Sequence, residues 1–242
     1  MGKKGDAIDG VLLLDKPEGM SSNWVLQLSR RLINAQKAGH TGTLDPFATG
    51  LLPLAFGNAT KYSADLLHAD KRYEAVLRFG SCTDTMDKTG EVTAVSDMRP
   101  TRESLEALLA EFTGEIEQIP PMYSAVQKNG QRLYDLARQG IEVERESRKV
   151  TVYSLSLANF DEKTQTGTLE ISCSKGTYVR TIIDDIGRVL GVGAVMTALC
   201  RTSACGFSLD ECITLDDLKS ICENGNVEEK LRSVESLFMS LG

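Results

Sequence analysis

The pattern of apolar and polar positions along the 242 residues predicts both strands and helices. A short apolar run at 11–14 is typical of a buried strand. Apolar and polar side chains alternate over 73–79 and again over 169–174, as expected for strands with one buried face. Apolar residues recur at helical spacing over 179–190, and we expect Gly191 to end that helix.

The remaining pattern adds further elements on either side of these segments. We expect Ser21 or Ser22 to cap a helix whose apolar face includes Trp24, Val25 and Leu28. Helices are also predicted at about 58–67, 101–112, 132–138, 214–222 and 228–238, and strands at about 91–95, 150–160 and 201–207. Because strands outnumber βαβ units and many are adjacent hairpins, the pattern favours an α+β fold around a largely antiparallel sheet.

Length and composition fit one large globular domain or two small ones. The sequence has 41% hydrophobic and 25% charged residues. It contains neither a signal-peptide core nor an apolar run of about 18 residues, so we expect a cytoplasmic protein. The net charge of -7 argues against nucleic-acid binding by the chain as a whole. However, five of the seven excess negative charges lie after residue 160, so the first two-thirds can carry a locally basic face.

Residues 39–50 form the most distinctive stretch. Three glycines, three threonines and a proline exclude a regular helix or a central strand there. His40 and Asp45 lie in this stretch, and ordered loops on a rigid scaffold often carry chemistry. Each also has a structural interpretation, since Asp45 before Pro46 can start a turn and His40 can be a hydrogen-bonded loop residue. The stretch lacks the lysine of a phosphate-binding loop and the dinucleotide-binding fingerprint.

Residues 123–149 differ in composition from the rest of the chain. They combine Tyr123 and Tyr134 with six basic and four acidic side chains. We interpret them as an excursion from the domain that is suited to RNA contact through phosphates and stacking, with an ordinary surface helix as the alternative. Further on, Arg180 lies in the first turn of a predicted helix, where a cation opposes the helix dipole. We therefore expect Arg180 to have a carboxylate or phosphate partner.

Several segments in order resemble the motifs of the TruB family of tRNA pseudouridine synthases. Residues 39–50, GHTGTLDPFATG, are similar to one signature of that family nearly position for position, and residues 10–23 resemble its opening motif. The other segments that resemble its motifs are 71–75 with 83–87, 118–125, 174–180, 199–202 and 206–207. Each would be weak alone, but their order over residues 10 to 237 makes the resemblance specific.

The resemblance implies a fold and an activity. The fold is the pseudouridine synthase fold, a long, bent, mostly antiparallel mixed sheet flanked by helices, with the active site in a central cleft. We expect a single catalytic domain over residues 1–242, a thumb-like RNA-contacting insertion at about 123–149, and no C-terminal PUA domain. The implied reaction isomerises uridine to pseudouridine at position 55 in the T loop of tRNA, by base flipping and by cleavage and re-formation of the glycosidic bond.

The resemblance also assigns roles to residues and partners. It implies that Asp45 is the nucleophile, that Arg180 keeps it ionised and that Tyr73 stacks on the target base. Whether Asp45 adds to C1′ or C6, or stabilises a glycal-forming step, stays open. The expected substrate-binding residues are His40, which would fill the gap left by the flipped base, Tyr178, which would line the site, and Lys16, Leu199 and Arg138. We expect no cofactor and no metal, the T arm of tRNA as partner, and a monomer that requires no protein partner and no membrane.

Two other functions are compatible with the same residues. A glycosidase or nucleosidase could use Asp45 together with Asp84 or Asp87 and would release free base or sugar. A non-enzymatic RNA chaperone could instead open the T loop. Metal binding by three of the six cysteines (Cys200, Cys205 and Cys212) is less favoured than reduced thiols, since the sequence has no CxxC pair.

Overall fold

The computed structural model describes residues 5–63, 69–225 and 227–233. Its strands are β1 (Gly10–Lys16), β2 (Ala38–His40), β3 (Thr49–Phe56), β4 (Lys71–Phe79), β5 (Ser81–Thr83), β6 (Val92–Val95), β7 (Gly114–Gln118), β8 (Gln127–Lys128), β9 (Gln131–Arg132), β10 (Arg148–Asp161), β11 (Thr166–Cys173), β12 (Ala194–Ala204) and β13 (Phe207–Ser208). Its α-helices are α1 (Ser22–Leu32), α2 (Arg102–Leu109), α3 (Leu133–Ala137), α4 (Val179–Val189) and α5 (Leu215–Glu223). Short 3-10 helices cover Gly57–Tyr62, Ala110–Phe112, Leu209–Glu211 and Val227–Lys230.

The chain divides into two compact units. Unit 1 comprises Met1–Tyr73 and Leu199–Gly242, and unit 2 comprises Glu74–Ala198. Among the helices in the described ranges, none combines the length and the apolar character that a membrane crossing requires.

Unit 1 is built around β3, which is buried from Gly50 to Phe56. β1 pairs antiparallel with β3 along its whole length, β2 pairs antiparallel with the end of β3, and β12 pairs parallel with its start. One face of this sheet packs through Leu12 and Leu14 against α1 and α5. The other face packs through Val11 and Leu13 against a cluster around Phe207. Burial on both faces explains why the β1 and β3 sequences are continuous apolar runs.

Unit 2 has the strand order β12-β4-β11-β10-β7. β10 and β11 form a long antiparallel hairpin, and β7 pairs antiparallel with the start of β10. β11 buries Leu169, Ile171 and Cys173 and exposes Glu170, as its alternating sequence predicts. Ile182, Ile183 and Ile186 of α4 are likewise buried. The predicted α+β class with a mostly antiparallel sheet is confirmed.

Three details differ from the sequence prediction. Ser21 is the N-cap of α1, as expected, but Trp24 is 45% exposed and is not part of the apolar face. Instead, the small residues Ser22 and Ser29 face the core beside Val25 and Leu26. The buried face of α1 is therefore rotated by about one residue from the face that the large apolar side chains predicted. The apolar stripe of α4 ends before Val189, which is 61% exposed, and β12 begins well before 201. The ends of the helices predicted at 58–67 and 228–238 lie outside the described residues.

The segment between β7 and β10 leaves the sheet and returns to it. Its two ends meet where Gln118 pairs with Arg148. Between them, β8 and β9 form a short ladder, followed by α3, which confirms the helix predicted at 132–138. Leu133 and Leu136 are buried, and all other side chains from 125 to 149 are at least partly exposed. That this segment contacts RNA stays a prediction.

Candidate active site

Asp45 lies in the loop between β2 and β3 and is half-buried. Its carbonyl oxygen accepts a hydrogen bond from the Ala48 N–H at 3.0 Å, which closes a tight turn over Pro46. The loop is flanked by Gly42 at φ +131° and Gly50 at φ +103°, a region of φ that favours glycine. The predicted ordered loop is therefore present at 41–48, with Asp45 at the start of its turn, whereas the two ends of the 39–50 stretch belong to β2 and β3.

Ser22 fixes the residue that precedes Asp45. Its hydroxyl accepts a hydrogen bond from the Leu44 N–H at 2.8 Å and donates one to the Leu44 carbonyl oxygen at 2.9 Å. Ser22 is 2% exposed and belongs to the first turn of α1. One buried hydroxyl thus satisfies both backbone groups of Leu44, which fixes the direction in which the chain enters Asp45.

Arg201 holds the two ends of the same loop together. This residue of β12 is 1% exposed, and its guanidinium donates to the Leu51 carbonyl oxygen at 2.7 Å and to the Gly42 carbonyl oxygen at 3.3 Å. Gly50 packs so tightly against the Arg201 backbone that an added Cβ would lie 2.4 Å from the Arg201 carbonyl oxygen. The loop therefore requires glycine at this position.

Lys16 is bound to the loop from the side of β1. It is fully buried, and its ammonium group donates to the carbonyl oxygens of Pro17 at 2.8 Å, Met20 at 2.6 Å and Pro46 at 3.1 Å. Burial lowers the pKa of Lys16 to about 8, and the negative charge of Asp45 opposes this shift. Three carbonyls match the three N–H groups of an ammonium. This geometry favours a structural role for Lys16 over the substrate contact that we predicted.

The other predicted residues of unit 1 are His40, Tyr73 and Leu199. Burial, followed by the positive charge of Arg201, lowers the pKa of His40, so its imidazole is neutral at pH 7. The buried His40 Nδ1 has no hydrogen-bond partner within the described part of the chain. Tyr73, in β4, is half-buried, and Leu199, in β12, is 8% exposed. Their contacts with substrate stay predictions.

Arg180, in unit 2, has the carboxylate partner that its position at a helix start predicted. It is 5% exposed, and its Nη1 lies 3.4 Å from Oδ2 of Asp87 and donates to the Thr85 carbonyl oxygen at 3.1 Å. Its Nη2 donates to the Tyr123 carbonyl oxygen at 2.8 Å. The guanidinium is thus held at two of its nitrogens, between the 83–91 turn and the start of the 123–149 segment. The predicted pairing of Arg180 with Asp45 stays a prediction.

Asp87 is held as firmly as the arginine that it pairs with. Its Oδ1 accepts hydrogen bonds from the Thr85 hydroxyl at 2.9 Å and from the N–H and hydroxyl of Thr89 at 2.9 and 2.5 Å. Asp84 accepts from the Glu91 N–H at 2.8 Å and from the Tyr123 hydroxyl at 3.4 Å. Both candidates for the second acid of a glycosidase therefore have bonded partners in unit 2, which weakens that alternative.

The predicted site residues are divided between the two units. Tyr178 is the N-cap residue of α4, and Arg138 is exposed beside Tyr134, with its guanidinium 5.8 Å from the centre of the ring. Unit 1 contains Lys16, His40, Asp45, Tyr73 and Leu199, and unit 2 contains Arg138, Tyr178 and Arg180. Within unit 1 the structure brings Lys16 to the Asp45 turn.

Sequence reasoning missed residues that hold the loop rather than react. Ser22 was considered only as a helix cap, and Arg201 only as part of a motif. Asp87, which holds Arg180 rather than the loop, was named only as an alternative acid. A signal existed for Arg201, because a charged residue in a strand of mostly apolar residues requires buried partners. Nothing in the sequence pattern indicates that Ser22 bonds to Leu44.

The cysteines and acidic residues give no metal centre in the described part of the chain. None of the six cysteines forms a disulfide; Cys173 and Cys205 are buried and the other four are half-buried. Within residues 5–63, 69–225 and 227–233, no group of three or more His, Cys, Asp or Glu side chains is arranged to hold a metal ion.

If Asp45 is the reacting group that the sequence predicts, replacing Ser22 with Ala is expected to slow turnover. The change leaves two buried backbone groups of Leu44 unpaired, each at a cost of about 1–3 kcal/mol, and frees the turn to shift. We expect the single-turnover rate to fall about tenfold or more, since small misplacements of reacting groups are costly. Ser21→Ala is the matched control, because it removes only the helix cap. Equal rates for the two variants would contradict this role of Ser22.

Two family models match the chain. One is described as the N-terminal domain of the TruB family of pseudouridylate synthases and matches residues 30–179. The other is described as the C-terminal domain of tRNA pseudouridylate synthase B and matches residues 180–237. Together the two matches extend over most of the chain.

Two similar bacterial proteins are both named tRNA pseudouridine synthase B. The protein named tRNA pseudouridine synthase B from Dechloromonas aromatica (strain RCB) is 52% identical over 234 residues, which cover 97% of this chain and 77% of the relative. Its namesake from Pseudomonas aeruginosa (strain UCBPP-PA14) is 55% identical over 222 residues, which cover 92% of this chain and 72% of the relative.

Solved structures of larger proteins have a similar fold. A chain in the crystal structure of a Cbf5-Nop10-Gar1 complex matches with a TM-score of 0.75 and 30% identity over 96% of this chain. A chain in the structure of an H/ACA RNP bound to a substrate RNA containing 2′-deoxyuridine matches with a TM-score of 0.71 and 27% identity, again over 96% of this chain. This chain spans 62% and 61% of the length of those two chains.

Proposed function

This chain belongs to the TruB family of pseudouridine synthases, isomerases that act on tRNA, and we propose that it converts uridine 55 in the T loop of tRNA to pseudouridine. The observation that carries this proposal is the fixation of the Asp45 turn by Ser22, Lys16 and Arg201. Three buried side chains from three different elements hold one loop whose central carboxylate is only half-buried. Such support is what a reacting group requires for precise placement.

The reaction breaks the N1–C1′ bond, rotates the base and joins C5 to C1′, and the C5 proton is lost to solvent while N1 gains one. No electron is transferred, so the reaction is balanced without a redox partner. Asp45 supplies the carboxylate that attacks or stabilises the electron-poor carbon, as in retaining glycoside chemistry. Arg180 keeps that carboxylate ionised, because a nearby cation favours the charged form of an acid.

The remaining site residues bind and orient the flipped nucleotide. Tyr73 stacks on the target base, and Tyr178 lines the site. The neutral imidazole of His40 takes the place of the flipped base, which offsets a few kcal/mol of lost stacking. Arg138 and the basic side chains of the 123–149 segment contact the phosphates of the T arm. The enzyme acts as a monomer without a protein partner.

Mapping of pseudouridine on tRNA transcripts tests the proposal. We expect the wild-type protein to form one pseudouridine per transcript, at position 55, and to release tritium from [5-³H]uridine in the T loop. Release of free uracil would instead establish a nucleosidase. Altered tRNA folding without any base modification would establish a chaperone.

Replacing Tyr73 with Phe is expected to slow turnover and to leave RNA binding intact. The ring keeps its stacking surface, while the hydroxyl that could help to remove the C5 proton is lost. We expect the rate of tritium release to fall while the Kd for tRNA stays within about threefold, since stacking carries most of the binding at such a position. Tyr153→Phe, at a half-exposed position in β10, is the control. Loss of tRNA binding by Tyr73→Phe would contradict the assigned role.

A further inference from the structure

Gln118, the last residue of β7, binds both backbone groups of Tyr178. Its side-chain Oε1 accepts a hydrogen bond from the Tyr178 N–H at 3.0 Å, and its Nε2 donates to the Tyr178 carbonyl oxygen at 3.2 Å. Gln118 is 2% exposed. A buried amide whose acceptor and donor are both bonded to one residue fixes that residue in position and orientation.

Tyr178 is the residue immediately before α4, which begins at Val179. It is the N-cap residue, and its own side chain makes no capping hydrogen bond. Arg180 lies two residues further, in the first turn. A helix start without a cap of its own is free to fray or shift, so the amide of Gln118 determines where the turn that contains Arg180 begins.

The chain that follows β7 also contacts Arg180 directly. Gln118 pairs with Arg148 where the 123–149 segment departs from the sheet and returns. Five residues after Gln118, the Tyr123 carbonyl oxygen accepts a hydrogen bond from Arg180 Nη2 at 2.8 Å. The base of this segment therefore holds the backbone at the helix start through Gln118 and the guanidinium through Tyr123.

We propose that Gln118 is a positioning residue of the isomerisation, acting through Tyr178 on Arg180. This inference rests on the proposed function, in which Arg180 acts on the reacting carboxylate. Gln118 does not touch the RNA; it sets the position from which the guanidinium acts. Its loss lowers the rate of the chemical step without weakening RNA binding.

Three variants separate this role from a purely structural one. Gln118→Met keeps the length of the side chain and removes both hydrogen bonds to Tyr178. Gln118→Glu keeps the acceptor but places a second oxygen against the Tyr178 carbonyl. Glu117→Gln is the matched control, because Glu117 is the preceding residue of β7 and is exposed. All three are assayed for single-turnover pseudouridine formation at saturating enzyme, for the Kd for a tRNA transcript and for Tm.

We expect the single-turnover rate of Gln118→Met to fall about 10- to 100-fold, as for small displacements of a reacting group, and that of Gln118→Glu to fall less. The Kd for tRNA stays within about threefold for both, and Glu117→Gln matches wild type. A rate within twofold of wild type for Gln118→Glu and Gln118→Met overturns the proposal, as does a change in Kd alone. If neither variant folds, Gln118 is a folding residue and the positioning role is likewise overturned.

A double-mutant cycle with Arg180→Lys measures whether the effects of the two residues on the rate are coupled. A purely structural role of Gln118 would give no such coupling. If Gln118 acts through the arginine, adding Gln118→Met to Arg180→Lys lowers the rate much less than Gln118→Met does alone. Fully multiplicative effects mean that the two residues act independently and overturn the inference. Absence of pseudouridine with the wild-type protein would instead overturn the proposed function itself.

Discussion

Replacing Asp45 with Asn is expected to abolish pseudouridine formation while tRNA binding persists. The amide has nearly the shape of the carboxylate, so the turn closed by the Ala48 N–H and the support from Ser22 are retained. It cannot act as an anionic nucleophile, however, and the enzyme loses the group that meets the electron-poor carbon. We expect the single-turnover rate to fall by at least about 10³-fold, the scale seen when a nucleophile is removed.

The measurement is tritium release from tRNA labelled at C5 of uridine, with the Kd measured in parallel. Asp97→Asn, at an exposed position, is the control for the loss of one negative charge. A rate for Asp45→Asn near that of wild type would show that Asp45 only initiates a turn, the structural interpretation of an Asp-Pro pair. If the protein were an RNA chaperone, Asp45→Asn would likewise behave as wild type, because a chaperone requires no ionised group at this position.

Replacing Arg180 with Ala is expected to have the second-largest effect, on both rate and stability. The change removes a guanidinium that pairs with Asp87 and donates to two carbonyl oxygens. A buried partner left uncompensated costs about 3–5 kcal/mol of unfolding free energy. We expect the rate to fall by about 10³-fold or more, and Arg180→Lys to recover only part of it, because an ammonium cannot form the planar fork of a guanidinium.

Single-turnover rates and Tm values are measured for both variants, with Arg102→Ala, at a partly exposed position in α2, as control. The residual activity of Arg180→Ala also reports on the predicted pairing with Asp45. Without the cation the pKa of that carboxyl rises, so the acidic limb of the pH–rate profile moves to higher pH. Wild-type activity in Arg180→Ala, or an acidic limb that does not move, would refute the pairing.

The sequence pattern predicted most of the architecture because its signal is local. The alternation in β11 and the helical spacing in α4 each follow from which neighbouring side chains are buried. The error at Trp24 has the same origin, because bulk indicated a buried face that the small Ser22 and Ser29 occupy instead. The contacts that hold the candidate site are of another kind.

Those contacts join residues far apart in the chain. Arg201 bonds to a carbonyl 150 residues away, and Arg180 pairs with an acid 93 residues away. No local period encodes such pairs, so the sequence could identify Asp45 and Arg180 through the resemblance but not the residues that hold them. Gln118 and Ser22 were missed for this reason. Each bonds to backbone groups, and because every residue has these groups, the sequence does not indicate which residue is the partner.

The burial of β3 on both faces has a consequence for how the enzyme unfolds on heating. Its amides should be among the last in unit 1 to exchange with solvent deuterium, because they open only when the whole unit unfolds. The Asp45 turn leads directly into this strand. On heating, the Asp45 turn should therefore keep its structure until the cooperative transition of unit 1 rather than melt locally beforehand.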